Sequence, residues 1–345
     1  MTKTTIYDIA RLSGASPSTV SAVLNGTWRK RRIRDATVAT IQKIAAEHGY
    51  TLNRQARGLR QARSGMVGMI IPLHDNRFFS SLSQTFDTFV RARGLCPVIA
   101  STLRDPDEER RIVSTLISYA VDSIFIAGAT DAGPLSDLCA AAGVPHVFVD
   151  LPGRNAPSVV SDNYRGAEML TGQILAHMPR LSDLRRARPC FIGGSERDYA
   201  TQRRMEAFRA VCAARGIEIS DDDVQPCGYA PAAARAALRD IYQRRGGLPA
   251  GLFVNSLTVF EGVLAQFTEL KAEEPAAIQI GCYDYDPFAA FLHFPVYMVR
   301  QNSDALIARA YDILESGETA PVMIEVEPDL IEPRTVFQNA PMNLG

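Results

Sequence analysis

Residues 5–26 read TIYDIARLSGASPSTVSAVLNG, and this stretch predicts two short helices joined by a tight turn. Apolar residues recur at helical spacing before Gly14, a residue that can take the left-handed conformation which ends a helix. Ser16 suits the N-cap of a second helix, and a proline is favoured directly after it. Ala10, Gly14 and Val20 have the spacing of a helix-turn-helix. An ordinary helical hairpin would show the same three residues, so further signs are needed.

The charge distribution supplies one of those signs. Residues 1–64 contain 12 Lys and Arg but 3 Asp and Glu, a net charge of +9, whereas the rest of the chain carries −10. A third helix is predicted over 36–48, and the polar segment 53–63 has Leu59 as its one large apolar residue. A segment without a core cannot fold alone. A basic helical module followed by a polar linker indicates binding of a polyanion, with the second helix in the major groove of DNA.

From residue 66 onward, short apolar runs alternate with helical patterns. Such runs are typical of parallel strands buried on both faces, and repeated βα units build doubly wound sheets. Because about 280 residues exceed one compact sheet, two lobes with a ligand cleft between them are expected. The predicted strands are 66–71, 96–100, 123–126, 146–149, 190–192, 251–254 and 278–280, and the predicted helices are 81–92, 108–119, 167–177, 204–215, 232–244, 260–270 and 304–315.

Several classes of protein are excluded by the same sequence. The chain of 345 residues has no apolar run of 18 or more, and its first residues lack the pattern of a secretory signal. The six cysteines and five histidines are scattered without metal-ligand spacing. We therefore expect a cytoplasmic protein with no metal, no cofactor and no membrane partner.

The N-terminal motif, together with HGYTLNRQARGL at residues 48–59, resembles the LacI/GalR family of transcriptional regulators. The lengthened basic loop at residues 26–34 and the segment RGLRQAR at 57–63 look closest to its fructose and catabolite repressor branch. The resemblance implies an α/β fold: a three-helix helix-turn-helix head, a hinge helix, and a two-lobed sensor like a type I periplasmic binding protein. It implies domains at 1–51 (head), 52–63 (hinge), 64–160 with 303–325 (N-lobe), and 161–302 with 326–345 (C-lobe).

The resemblance also implies a DNA interface in the head and hinge. Leu59 matches a hinge leucine that wedges into the minor groove, and the arginines of the basic loop would face phosphates. Ala22 stands where several relatives carry Arg or Tyr, although an alanine can touch a thymine methyl. The implied DNA-binding residues are Thr5, Ile6, Tyr7, Ser16, Pro17, Ser18, Ser21, Ala22, Asn25, Arg31, Arg32, Arg34, Asn53, Ala56 and Leu59.

An effector site between the lobes is implied in the same way. Its polar members would be fixed hydrogen-bonding groups at strand ends, which is how polar ligands are oriented. Core packing is an equal alternative for the two aromatic members. The implied effector-binding residues are Phe78, Phe79, Asp150, Arg197, Arg204, Asn255, Asp284 and Gln301. Arginines beside carboxylates suit a sugar or a sugar phosphate, and the residues do not separate the two.

These features predict a homodimeric repressor of operator DNA whose affinity is controlled by a small molecule. A purine or nucleoside effector is an open alternative. An enzyme is less favoured because Ser195 lacks the G-x-S-x-G elbow and no nucleophile–base pair stands out. A sugar-binding protein of the periplasm would need a signal peptide and has no use for a basic head.

Overall fold

The computed structural model describes residues 4–50 and 63–334, in two compact units that divide between Ser64 and Gly65. The first unit, the head, consists of helices α1 (Ile6–Ser13), α2 (Pro17–Leu24) and α3 (Asp35–Glu47). Ile9, Val20 and Ile41 are fully buried where the three helices meet. The predicted three-helix head is confirmed.

Local signals in the sequence fix the ends of the first two helices. Thr5 caps α1 in a reciprocal capping box with Asp8, and Gly14 ends the helix at φ 65°. Ser16 caps α2, where its Oγ accepts a hydrogen bond from the Thr19 amide at 3.2 Å. The turn between the helices is therefore set by side chains that the sequence already shows.

The second unit, the sensor, begins with a parallel six-stranded sheet in the order β11-β5-β4-β3-β1-β2. Helices cover both faces, which is why most of its strand residues are buried. Its elements are β1 (Met66–Ile71), α4 (Arg77–Ala92), β2 (Cys96–Ser101), α5 (Pro106–Ser118), β3 (Ser123–Ala127), α6 (Ala132–Ala141), β4 (His146–Val149), β5 (Ser158–Ser161), α13 (Ser303–Ser316) and β11 (Met323–Val326).

The other sheet of the sensor has the order β12-β10-β9-β8-β6-β7, and only its edge strand β12 runs antiparallel. The two sheets therefore repeat one strand order. The elements are α7 (Asn163–His177), α8 (Leu184–Ala187), β6 (Cys190–Ile192), α9 (Tyr199–Ala214), β7 (Val224–Gln225), α10 (Pro231–Arg245), β8 (Gly251–Val254), α11 (Leu257–Phe267), α12 (Glu273–Ala276), β9 (Gln279–Tyr283), β10 (Val296–Arg300) and β12 (Asp329–Ile331), with 3-10 turns at Asp221–Asp223 and Pro287–Phe291.

The chain passes between the lobes three times, after β5, after β10 and after β11. The N-lobe sheet thus takes its strands from 66–161 and 323–326, and the C-lobe sheet takes its strands from 190–300 and 329–331. The predicted α/β fold with two parallel-sheet lobes is confirmed. The predicted hinge at 52–63 and the end of the C-lobe segment lie almost wholly outside the described residues.

Membrane-spanning and metal-binding features are both missing from the described residues. None of the helices in 4–50 and 63–334 is both long enough and apolar enough to cross a membrane. The same residues contain no group of three or more His, Cys, Asp or Glu side chains placed to hold a metal ion.

Candidate functional site

The head presents a polar and basic surface around α2. Tyr7 is 71% exposed, and Pro17 and Ser18 are exposed at the start of the second helix. Ser21 and Asn25 are half-buried, and the side-chain amide of Asn25 donates to the Ser21 carbonyl oxygen at 2.7 Å. Asn25 therefore closes the end of α2 as well as lying on its polar side.

One predicted DNA contact, Ala22, is more buried than the other predicted contacts on α2. Ala22 is 4% exposed, and its carbonyl oxygen accepts from the Thr27 amide at 2.9 Å as the following loop folds over it. Its methyl group is therefore largely covered by the head, and the contact with a thymine methyl stays a prediction. Ile6 is half-buried against the head core, whereas Thr5 and Ser16 serve as helix caps.

The basic loop is an ordered turn. Trp28 and Ile33 pack against the head core, and the Trp28 carbonyl oxygen accepts from the amides of Arg31 and Ile33, each at 3.1 Å. Arg31, Arg32 and Arg34 remain exposed and form no ion pair within the described part of the chain. Packing of Trp28 and Ile33 against the head core thus keeps the neighbouring arginine side chains exposed to solvent. Asn53, Ala56 and Leu59, the predicted hinge contacts, lie outside the described residues.

In the sensor, polar side chains follow the carboxyl ends of neighbouring parallel strands. Asp150 follows β4, Asn255 follows β8, Asp284 follows β9 and Gln301 follows β10. All four are at least nine-tenths buried. The carboxyl ends of parallel strands form the ligand-binding edge of doubly wound sheets. The structure thus brings these four predicted residues to the edges where the two lobes meet.

Arg204 connects several of these groups. From α9 its Nε donates to the Asn163 Oδ1 at 2.9 Å, and one terminal nitrogen donates to the Asn255 carbonyl oxygen at 2.7 Å. Its guanidinium carbon lies 3.5 Å from the centroid of the Tyr283 ring, an attractive cation–π contact. A glycine is required nearby, because a Cβ on Gly194 would clash with the Asn255 amide nitrogen.

The two carboxylates differ in their surroundings. Burial raises the pKa of Asp150 to about 7, although the charges of Arg204 and Arg104 oppose that rise. Burial also raises the pKa of Asp284, opposed by Arg204 and by a hydrogen bond from the Gln301 amide at 2.7 Å. Because Asp150 belongs to the N-lobe and Arg204 to the C-lobe, their electrostatic interaction spans the cleft.

A cavity of about 640 Å³ lies between the lobes on the side of Asp284. Phe78, Asp284 and Gln301 line it, whereas Asp150, Arg204 and Asn255 do not. Phe79 is 4% exposed and packs on the N-lobe core. Arg197 is exposed in the loop before α9 and takes no part in the hydrogen bonds around Arg204, so its contact with an effector stays a prediction.

Sequence reasoning missed three residues in the cleft, namely Asn163, Arg104 and Tyr229. The Tyr229 hydroxyl donates to the Asp198 Oδ2 at 2.8 Å, and the Arg104 guanidinium lies over the Tyr229 ring at 4.7 Å. Arg104 lies between the end of β2 and the Asp-Pro pair at the start of α5. A charged residue so soon after a predicted strand could have been identified as a cleft residue. Tyr229 follows no strand of predictable length and gave no such signal.

The head and the sensor each match a known family. Residues 5–53 match the family described as bacterial regulatory proteins of the lacI family, and residues 67–290 match the periplasmic binding protein domain. The ribitol operon repressor of Klebsiella aerogenes is 50% identical over 180 residues, which are 52% of this chain and 67% of that protein. The chain belongs to the LacI family of bacterial regulatory proteins. It is therefore a DNA-binding transcriptional regulator with a periplasmic-binding-protein-like sensor.

Other LacI-family proteins are similar over longer stretches. The sucrose operon repressor of Klebsiella pneumoniae is 28% identical over 90% of this chain and 91% of its own. The lac repressor dimer bound to operator and the anti-inducer ONPF matches at a TM-score of 0.80 and 17% identity, covering 97% of this chain and 99% of that one. The Cra regulator of Pseudomonas putida in complex with fructose 1-phosphate matches at a TM-score of 0.69 and 20% identity, covering 79% of this chain and 99% of that one. At these identities the two structures support the fold.

Proposed function

We propose that this LacI-family protein is a repressor that binds operator DNA through its head, and that a polyhydroxy small molecule bound between the sensor lobes changes its operator affinity. The observation that supports this proposal best is the cross-lobe charge arrangement. Asp150 of one lobe and Arg204 of the other are both buried and interact electrostatically. A ligand that bonds to both must favour one relative position of the lobes.

The cleft suits hydroxyl groups. Carboxylates accept hydrogen bonds from hydroxyls, and guanidinium and amide groups donate to them. Asp150, Asp284, Arg204, Asn255 and Gln301 supply both kinds of partner at the strand ends. The relatives are named for ribitol and sucrose operons, and one similar structure contains fructose 1-phosphate, all of them polyhydroxy compounds.

The head would supply the affinity for DNA. The exposed arginines of the ordered turn face phosphates, and the exposed start of α2 faces base edges in the major groove. Operators of two-fold symmetry call for two heads, so we propose a homodimer acting in the cytoplasm. A protein of this kind needs no catalytic residue, and none is proposed.

A titration of DNA tests the head. If a dimer neutralises about ten phosphates, the logarithm of the binding constant should fall with the logarithm of salt concentration at a slope of roughly −9. Arg31→Ala with Arg32→Ala should flatten the slope by roughly 0.9 for every phosphate that is no longer neutralised, equally on a duplex selected for binding and on a random duplex. Arg91→Ala with Arg309→Ala removes two exposed cations from the sensor and should leave the slope unchanged. A slope flatter than about −3 in the unmodified protein would overturn the proposed role of the head.

A further inference from the structure

Arg104 occupies an unusual position in the loop between β2 and α5. Leu103 and Arg104 have φ values of 55° and 58°, a left-handed conformation that residues with side chains rarely adopt. The backbone is held there because the amides of Thr102 and Leu103 donate to the Ile71 and Pro72 carbonyl oxygens, both at 2.9 Å. The end of β1 therefore fixes the direction in which the Arg104 side chain leaves the loop.

The Arg104 guanidinium lies between aromatic rings of the two lobes. Its carbon is 5.9 Å from the Phe79 ring centroid in the N-lobe and 4.7 Å from the Tyr229 ring centroid in the C-lobe. Asp198 orients the Tyr229 ring by accepting a hydrogen bond from its hydroxyl. Within the described part of the chain, the Arg104 Nε is buried and has no hydrogen-bond partner. A buried N–H group without a partner costs free energy that a ligand could recover.

The other arginine of the cleft differs in this respect. Arg204 has its Nε and one terminal nitrogen hydrogen-bonded to protein atoms. Of the two cations that oppose the rise in pKa of Asp150, Arg104 is the one whose Nε is unused. The Asp150 carboxylate itself accepts no hydrogen bond from the described residues. The cleft therefore holds a donor on Arg104 and an acceptor on Asp150 that the described residues leave unused.

We propose that Arg104 is a ligand-binding residue of the cleft and that, with Asp150, it selects a neutral polyhydroxy effector over a phosphorylated one. This inference rests on the proposed function and concerns the same cleft. A hydroxyl can accept a hydrogen bond from Arg104 and donate one to Asp150 at the same time, which a phosphate dianion cannot. Around Arg104 and the adjoining cavity, five carboxyl groups face four guanidinium groups: Asp150, Asp198, Asp284, Asp304 and Asp329 against Arg77, Arg104, Arg204 and Arg300. A dianion would meet repulsion from each carboxyl group that is ionised, whereas a neutral hydroxyl would not.

The test measures binding to the full-length protein by isothermal titration and thermal shift. The probes are ribitol, fructose and sucrose, together with ribitol 5-phosphate and fructose 1-phosphate as charged counterparts. At least one neutral probe should bind, and it should bind more tightly than its phosphate ester. Arg104→Gln should weaken that neutral probe roughly ten- to a hundredfold, as expected when a hydrogen bond to a charged group is lost. Arg110→Gln, on the outer helix α5, should bind the probe like the unmodified protein.

The outcomes separate this inference from the proposed function. Preference for a phosphate ester, unchanged binding in Arg104→Gln, or no binding of any neutral probe would each overturn the inference. Without probe, Arg104→Gln loses the contacts of the guanidinium with the Phe79 and Tyr229 rings and its charge near Asp150, but no hydrogen bond of its Nε. Its melting temperature should therefore fall far less than that of Arg204→Gln, whose guanidinium is hydrogen-bonded to Asn163 and Asn255. A fall as large as that of Arg204→Gln would show that Arg104 stabilises the fold instead. Salt-dependent binding of DNA by Arg104→Gln tests the proposed function independently, since the head is unaltered.

Discussion

The two lobes of the sensor place a carboxylate at the same point of the same topology. Asp150 follows β4 and Asp284 follows β9. These two strands occupy the same interior position in two sheets that have the same strand order. Both residues have φ 74°, and both are less than one-tenth exposed. Asp284 is hydrogen-bonded by Gln301, whereas Asp150 has nearby charges but no hydrogen bond from the described residues.

Similar backbones thus acquire different roles through their neighbours. Aspartate tolerates the left-handed conformation better than most residues, so the turn after each strand accepts it. The neighbouring side chains then decide what the carboxylate does. Gln301 fixes Asp284 against the cavity, while Asp150 is left with its acceptor atoms available to a ligand. Substitutions at Arg204, Asp150 and Gln301 test whether the two aspartates differ in this way.

The largest effect is expected from Arg204→Ala, which removes the cation shared by the two carboxylates. The change leaves Asn163 and Asn255 without their donor, uncovers the Tyr283 ring, and deprives both buried carboxylates of a compensating charge. Breaking a buried charge network of this kind costs roughly 3–5 kcal/mol. Urea unfolding of the full chain should show a large fall in the sensor midpoint.

Arg203→Ala is the matched control, one residue earlier on α9. Arg203 is half-buried over Tyr164 and pairs with Glu206, so its loss should cost less than about 1 kcal/mol. Equal midpoints for the two variants would show that Arg204 does not neutralise the carboxylates.

The next effect is a pH-dependent gain in stability from Asp150→Asn. Burial raises the pKa of Asp150 to about 7 in the folded protein, whereas an aspartate of the unfolded chain titrates near pH 4. The folded state thus binds this proton more tightly than the unfolded state, and the protein loses stability as the pH rises from about 4 to 7. Asparagine removes the penalty, which is at most about 4 kcal/mol.

Urea midpoints at pH 5 and pH 8 check this expectation. The gain of Asp150→Asn over the unmodified protein should be larger at pH 8. Asp312→Asn removes a carboxylate from an exposed ion pair with Arg309 and serves as the control. A loss of stability at pH 8 would mean that Asp150 acts as a counter-ion that the fold requires.

The fold could be predicted from the sequence to the extent that its strands are buried on both faces. All seven predicted strands are present, because a continuous apolar run such as Met66–Ile71 can be recognised without any alternation of apolar and polar residues. Val296–Arg300 and Ser158–Ser161 escape prediction, since their apolar character is interrupted by Tyr, Arg or Ser. The helix Ala132–Ala141 escapes it for a similar reason, as its Gly-Pro start obscures the helical period.

The site was predictable where it follows a strand end and unpredictable where it depends on contacts between segments that are distant in the sequence. Asp150, Asn255 and Asp284 each end a recognisable strand, and the structure places all three at the cleft. Tyr229 reaches the cleft through its bond to Asp198, a contact between segments about 30 residues apart. Burial of Ala22 depends on how the loop after α2 folds back. Tertiary contacts of this kind leave no periodic pattern in the sequence.

Gln301→Leu should have a smaller effect than Arg204→Ala or Asp150→Asn. The substitution deletes the hydrogen bond to Asp284, but it also removes a Gln301 Oε1 that is buried without a partner in the described structure. The lost bond to a charged group is therefore partly offset, and a net cost of about 1 kcal/mol is expected. A double-mutant cycle with Asp284→Asn measures the coupling, which should be at least about 0.5 kcal/mol for two residues in contact. Additive effects would show that Gln301 does not hold Asp284.

The smallest effect is the pH dependence of that same variant, and its sign should be opposite to that of Asp150→Asn. The amide of Gln301 stabilises the ionised carboxylate and so lowers the pKa of Asp284, against the rise caused by burial. Without the amide the folded-state pKa rises further, and the protein then loses more stability as the pH increases. Gln301→Leu should therefore be more destabilised, relative to the unmodified protein, at pH 8 than at pH 5, by a few tenths of a kcal/mol to about 1 kcal/mol. Urea midpoints of Gln301→Leu and of the unmodified protein at pH 5 and pH 8 measure this difference. If both variants shifted in the same direction with pH, the two carboxylates would be equivalent in chemistry as well as in position.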